Sequence, residues 1–321
     1  MKELKAFIKN DMDKVAALIE ESLLSDIDLL SRCNRHVLDH CGKQVRPMLT
    51  ILMACATCGK ANADTLRYAA AAELIHNATL MHDDVADSSI SRRGVATVSS
   101  LLGPRPSVLL GDFWLVKGIA RILEGERESA RVMNIFGKTL SDLAEGEMLQ
   151  LEMARSGATT EKEYYRIIYD KTASLFVASA LGGVISAGAS QEQEKAAEEF
   201  ASCIGIAFQI KDDILDYMGD EALGKPAGQD LREKKITLPL LGAMKSEPAS
   251  EPAVREWLRD IGPDKIEKIR SFVFEKDGIR YAKEAMNDYL CKAVAALEAF
   301  PDGRSKSFLK MLAAYIGERN Y

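Results

Sequence analysis

The chain has 321 residues, 47% of them hydrophobic, and a formal net charge of −6. That size and apolar content allow a packed core in one large domain or two ordinary ones, and the acidic balance argues against nucleic acid as a partner. No apolar run reaches the eighteen or so residues of a membrane span, and the charged, amphipathic start MKELKAFIKNDMDKV has no signal core, so a cytoplasmic location is expected.

Helical periodicity runs from end to end, with Ala, Leu, Glu, Lys and Met abundant and no alternating Val/Ile/Thr runs. The chain reads as all-α and as a single domain over residues 1–321. Helices are expected over 5–31, 45–58, 63–88, 105–124, 128–156, 161–187, 191–219, 235–246, 251–261, 264–298 with a break near Gly278, and 303–318. The breaks fall at SRRG, LLGPRP, EPASEP and FPDGR, where turn formers cluster. Between Gly219 and Lys235 the sequence is polar and Gly-rich and resembles a mobile lid. Of the six cysteines, Cys55 and Cys58 form a C-x-x-C inside the apolar run MLTILMACATCG. No second ligand pair follows at zinc spacing, and core packing is the better reading.

One acidic pattern occurs twice: DDVAD at Asp83–Asp87 and DDILD at Asp212–Asp216. On a helix, residues three and four apart share a face, so Asp83, Asp84 and Asp87 form one carboxylate claw and Asp212, Asp213 and Asp216 another. Like charges at that spacing repel. A single copy in an acidic protein reads as a solvated face, but both copies lie in apolar sequence, where carboxylates without cations are costly. Magnesium suits them: it takes oxygen ligands, keeps several waters, and is commonly held by one or two carboxylates plus substrate phosphate. Two claws facing each other across a helical cavity would grip a diphosphate through bridging metal.

Basic residues cluster near the claws. Lys43 and Arg46 stand three apart at a helix start, with Pro47 in the first turn; Arg92 and Arg93 follow the first claw; Lys171 and Thr172 lie in YDKTASLF. Singly each reads as a surface charge, and their grouping with the claws points to anionic substrates.

CGKQVRP, ELIHNATLMHDDVADSSISRRG, GEMLQLE, DKTASLF, AFQIKDDILDYMGDEALGKPAGQDL and KKITLPLL, in this order, resemble the trans-isoprenyl diphosphate synthases, or polyprenyl synthetases, over nearly the whole chain. The resemblance implies an isoprenoid-synthase-type helical bundle around a central active-site cavity, usually homodimeric, that condenses isopentenyl diphosphate head to tail with an allylic diphosphate. It implies magnesium at Asp83, Asp84 and Asp87 and at the second claw, chiefly Asp212, with Asp213 and Asp216 as further candidates. Lys43, Arg46, His76 and Arg93 would bind isopentenyl diphosphate. Arg92, Lys171, Lys225 and Lys235 would bind the allylic diphosphate, and Thr172 and Gln209 would stabilise the allylic cation. On residues alone the better reading of His76 is a satisfied core histidine, and His82 has no assigned role. The family's Gly-Gly-Lys-Arg/Lys opening is here Cys41-Gly42-Lys43-Gln44, so one glycine and one basic residue are replaced.

Product length in this family depends on what blocks the tunnel below the first claw. Four and five residues before Asp83 stand Thr79 and Ala78, where short-chain members carry an aromatic plug. Ala78, Ile75, Ala71 and Tyr68 share a stripe, and Tyr68 reads as the floor, roughly 15 Å below Ala78 at 1.5 Å per residue. A long product, of heptaprenyl to decaprenyl class for quinone side chains, is expected; the alternative is that the small residues merely allow close helix packing. The rival functions are a geranylgeranyl or farnesyl diphosphate synthase on the same fold and a non-catalytic subunit of a heteromeric synthase. A terpene cyclase would need neither a second intact DDxxD nor Lys43 and Arg46.

Overall fold

The apolar stretches fold as helices, beginning with α1 (Lys2–Phe7), α2 (Lys9–Ser22), α3 (Asp28–Asp39), α4 (Val45–Cys58) and α5 (Ala63–Ala86). A short hairpin, β1 (Ser91–Arg92) and β2 (Val95–Ala96), precedes α6 (Val98–Leu102), α7 (Pro104–Leu123), α8 (Ser129–Ser156) and α9 (Glu161–Ile168). Then come a π-helical turn (Tyr169–Ala173), α10 (Ser174–Ala187), α11 (Gln191–Met218), α12 (Gln229–Arg232), α13 (Leu238–Ser246), α14 (Glu251–Arg259), α15 (Pro263–Glu275), α16 (Gly278–Ala296) and α17 (Arg304–Glu318). The computed structural model describes residues 1–219 and 228–318. Contacts gather into two units: Met1–Gly137 with Ala178–Glu198 and Ala299–Leu309, and Lys138–Val177 with Glu199–Glu298 and Lys310–Tyr321.

The all-α reading holds, with local corrections. The helix expected over 5–31 is three helices, broken at Ile8 and again after Ser22, where Ser25 holds the turn: its hydroxyl accepts from the Ile27 amide at 3.1 Å and its carbonyl accepts from Ser31 Oγ at 2.9 Å. Apolar periodicity hid that break, since Leu24 and Ile27 are exposed at the turn. The helix expected from 235 begins at Leu238, with Pro239 in its first turn. At SRRG the loop is a β-hairpin whose turn residues Arg93 (φ 54°) and Gly94 (φ 80°) are both left-handed, the conformation that matches strand twist. In the C-x-x-C, Cys55 is buried, but Cys58 is exposed and donates to the Lys60 carbonyl, so only the first belongs to the core.

In the first unit, α4 is buried at every position from Pro47 to Ala56, as a helix apolar on all sides must be. A capping box starts α5: Asn62 Oδ1 accepts the Thr65 amide at 2.9 Å and Thr65 Oγ1 accepts the Asn62 amide at 3.2 Å. Helices α5 and α7 run antiparallel with a repeat of seven. His82 lies over Gly111, Ile75 over Gly118 and Tyr68 over Gly125, and a Cβ at any of these glycines would collide with the side chain above it. Below this seam the chain is tied down, since Tyr68 Oη donates to the Arg127 carbonyl at 2.7 Å and Asp64 accepts the Glu126 and Arg127 amides.

In the second unit, Tyr217, Leu231, Leu240, Val254, Ile269 and Val273 form a core. Against it α13 and α16 pack closely, with Gly242 facing Tyr281.

Candidate active site

In the first unit the acidic motif closes α5. Asp84 is buried, Asp83 half-buried, and Asp87 is the exposed C-cap. The hairpin then folds back, and Arg92 Nε donates to Asp84 Oδ1 at 2.8 Å. Its turn directs Arg93 toward the segment before α4, where Nη1 donates to the His40 carbonyl at 3.0 Å and the guanidinium lies over Gly42. A Cβ on Gly42 would come within 2.5 Å of Arg93 Cζ, so the glycine that this chain retains is the one the arginine requires. Gln44, at φ 51°, is the N-cap of α4, and Lys43 beside it is exposed. A cavity of about 60 Å³ is lined by His36, Asn77, Asp84, Arg92 and Arg93.

Beneath lies a charged cluster. Glu73 is 2% exposed and accepts from Asn77 Nδ2 at 3.2 Å. Burial raises the Glu73 carboxyl against the pull of the Arg46 guanidinium, and burial lowers Arg46 to about 10 against the pull of Glu73. Burial, then Arg46, Arg93 and Arg92 in that order, holds the His76 imidazole well below its usual range. His76 is therefore neutral at pH 7 and offers a hydrogen bond rather than a charge. Sequence reasoning missed Glu73, although a lone carboxylate inside AAAAELIHNA is a signal for a buried partner. His82 Nε2 lies 3.2 Å from Asp112 Oδ1.

In the second unit the π-helical turn interrupts an otherwise continuous helix and carries Lys171 and Thr172; such turns widen a helix locally and recur at functional sites. Glycines flank it: a Cβ at Gly146 would meet Asp170 and Lys171, and one at Gly205 would lie 2.5 Å from Ala173 Cα. Thr172 Oγ1 donates to Gln209 Oε1 at 2.9 Å, Gln209 Nε2 donates to Asp213 Oδ1 at 2.9 Å, and Tyr164 Oη donates to Asp213 Oδ2 at 2.6 Å. Lys171 pairs with Glu147 and Lys235 with Glu233. Lys171, Thr172, Gln209, Asp213 and Lys235 line one cavity of about 120 Å³, together with Tyr164, Asp230 and the apolar Met153, Ile167, Ile168 and Ile236. Lys225 lies outside the described residues.

The second acidic motif differs from the expected claw. Asp213 is buried with both oxygens accepting from neutral donors, and burial raises its carboxyl to about 7. Asp216 accepts the Gln229 amide at 3.0 Å and the Asp230 amide at 3.2 Å, and so fastens the start of α12. Among the described residues no three His, Cys, Asp or Glu side chains converge as a ready-made cage. Asp83 and Asp212 are half-buried and supply hard carboxylate oxygens, which fits magnesium because that ion completes its shell with water and phosphate. Although both motifs lie in apolar sequence, only Asp84 and Asp213 of the six carboxylates are buried.

A polyprenyl synthetase family model matches residues 27–275. The chain belongs to the polyprenyl synthetase family. It is 36% identical to the octaprenyl diphosphate synthase of Haemophilus influenzae over 99% of this chain and 97% of that one. A decaprenyl diphosphate synthase structure from Rhodobacter capsulatus superposes with a TM-score of 0.92 at 35% identity, covering 99% of this chain and 98% of that one. A polyprenyl synthase from Caulobacter crescentus CB15, complexed with calcium and isoprenyl diphosphate, superposes with a TM-score of 0.91 at 34% identity, covering 99% and 97%. Polyprenyl synthetases of this kind share the all-α isoprenoid-synthase fold, and the chain is a prenyltransferase. No described helix is long and apolar enough to cross a membrane.

Tyr164, Asp230 and Glu147 complete the surroundings of Lys171 and Thr172; Glu147 and Asp230 lie in the GEMLQLE and GQDL motifs without an assigned role, and Tyr164 carries no sequence signal of its own. Each becomes visible only when the helices around the π-turn are placed.

Proposed function

We propose that this chain is a long-chain trans-polyprenyl diphosphate synthase, which extends an allylic diphosphate with isopentenyl diphosphate to products of heptaprenyl to decaprenyl class for quinone side chains. The observation that carries the reaction is the cavity where Lys171 and Lys235 ammonium groups stand beside the hydrogen-bonded oxygens of Thr172 and Gln209. Ammonium groups suit a diphosphate, and neutral oxygens suit the cation left when that diphosphate departs. Long products are supported by the full-length similarity to octaprenyl and decaprenyl synthases and by small residues at Ala78 and Thr79.

Lys171, Lys235, Arg92 and Lys225 hold the allylic diphosphate, and Lys43, Arg46, Arg93 and the neutral His76 hold isopentenyl diphosphate. The allylic C–O bond breaks, the isopentenyl double bond attacks the allylic carbon, and a proton passes to the released diphosphate, so no side-chain base is needed. Thr172 and Gln209 face their oxygens to the cation, while Met153, Ile167, Ile168 and Ile236 exclude water from it. Magnesium, held by Asp83, Asp84 and Asp87 and by Asp212, would supply charge for the departing diphosphate; the calcium in the Caulobacter crescentus structure supports a divalent ion.

We read residues 1–321 as one synthase domain, because a single family model runs through segments of both units. The enzyme works in the cytoplasm as a homodimer. On α7, Leu109, Val116 and Leu123 repeat every seven residues at 59%, 61% and 59% exposure, an apolar face that a second copy would cover. Incubating the purified chain alone with isopentenyl diphosphate, magnesium and a dimethylallyl, farnesyl or geranylgeranyl primer tests this reading. Chromatography should give products of 35 to 50 carbons; products ending at 15 or 20 carbons indicate a short-chain synthase, and none at all a non-catalytic subunit.

A further inference from the structure

We propose that Tyr164 is a positioning residue for prenyl transfer, acting through Asp213 and Gln209 on Thr172; this rests on the prenyl diphosphate synthase reading given above. Tyr164, on α9, is 3% exposed, and Asp213, on α11, is 2% exposed. Tyr164 Oη donates to Asp213 Oδ2 at 2.6 Å, a short contact between two buried side chains. The other Asp213 oxygen is held in the same way, since Gln209 Nε2 donates to Oδ1 at 2.9 Å.

That contact orients the Gln209 amide. With nitrogen turned to Asp213, the amide oxygen faces Thr172, whose hydroxyl donates to it at 2.9 Å. The Thr172 proton is thereby committed, and its oxygen has only lone pairs left for the cavity that it lines with Lys171 and Lys235. A developing allylic cation is stabilised by such an oxygen and opposed by a hydroxyl hydrogen aimed at it. The direction of the whole run is set at the buried end. Without the Tyr164 hydroxyl, Asp213 Oδ2 is left buried without its donor, and the Asp213 carboxyl relaxes by rotating. That rotation releases the Gln209 amide to flip, and Thr172 loses its fixed polarity.

Tyr164→Phe keeps the ring and removes only the hydroxyl. Steady-state kinetics of the full chain with isopentenyl diphosphate and farnesyl diphosphate should show kcat down about ten- to a hundredfold, the effect of leaving one buried acceptor without its donor. Both KM values should stay within about threefold, because the diphosphate-binding cations are untouched. Thr172→Val should cost a similar factor, and the double variant should be no slower than the slower single one, since both lie on one run. Should Tyr164→Phe lose its helical circular dichroism, 3-fluorotyrosine at position 164 keeps the shape with a more acidic donor and should shift kcat at unchanged KM. Full kcat in Tyr164→Phe, a rise confined to KM, losses that multiply in the double variant, or an unshifted kcat with fluorotyrosine would each overturn the positioning role while the wild type remains active. A wild type that makes no product would overturn the synthase reading and this inference with it.

Discussion

Ile75 packs directly onto Gly118. A Cβ at Gly118 would lie 2.7 Å from Ile75 Cγ1 and 3.3 Å from the Ala71 carbonyl, so at this level the stripe below Ala78 is a closed helix seam. The reading of Tyr68 as the first obstacle on that stripe is corrected accordingly, because Ile75 already fills it. Gly118→Ala should destabilise the fold by up to ~2 kcal/mol, an overpacking cost of about 1–3 kcal/mol less the roughly 1 kcal/mol that Ala gains over Gly in a helix. In an Ile75→Ala background the same substitution should become stabilising. Urea midpoints of the four proteins check the change of sign, and equal shifts in both backgrounds would refute the contact.

Ala78 is fully buried on α5, and replacing it with Phe tests the product-length role of this position. The ring must take its room from the growing chain or from the packing. Shorter products at retained initial condensation, with a Tm lower by several degrees, are expected from chromatography and thermal melts. An unchanged product distribution would remove Ala78 from the tunnel.

Asp83→Ala should lower turnover by about a hundredfold or more by removing a ligand for the charge-neutralising metal. It also relieves repulsion within the DDVAD motif, so stability should hold within ~0.5 kcal/mol. Magnesium titration of activity together with a thermal melt checks both halves, and near-normal turnover at saturating magnesium is the result that refutes the assignment.

The depressed His76 gives an acid-sensitive stability term. Its folded value lies below the unfolded one of about 6.5, so between the two the unfolded chain binds a proton that the native state does not. This contribution is complete above pH ~6.5 and is lost as pH falls toward the folded value, at up to about 1.4 kcal/mol per pH unit. His76→Gln should flatten that slope in denaturation curves taken from pH 7 to 5. An identical slope in the variant would mean that other groups carry the acid sensitivity.

Val116→Glu places a charge in the middle of the exposed α7 face without touching the buried Gly118 side of the helix. Sedimentation should show a dimer for the wild type and a monomer for the variant, with helical content unchanged. A variant that remains dimeric would move the interface elsewhere.

The sequence alone determined the helical class, most helix ends and the family, because these depend on local patterns. A Pro at the start of α7, an Asn62–Thr65 box at α5 and the ordered motifs around Asp83, Lys171 and Asp212 are all written within a few residues. Periodicity also placed Ala78, Ile75, Ala71 and Tyr68 on one face of α5. It did not name what that face meets, since burial is satisfied by any apolar partner of the right shape. Only the tertiary structure decided that Ile75 would rest on a glycine, and that Asp213 would spend its oxygens on Tyr164 and Gln209 while Asp216 fastened α12. The two DDxxD copies are alike in sequence, yet Asp84 pairs with a hairpin arginine and Asp213 with a phenol, because a carboxylate's role is set by which donors the packing brings within reach.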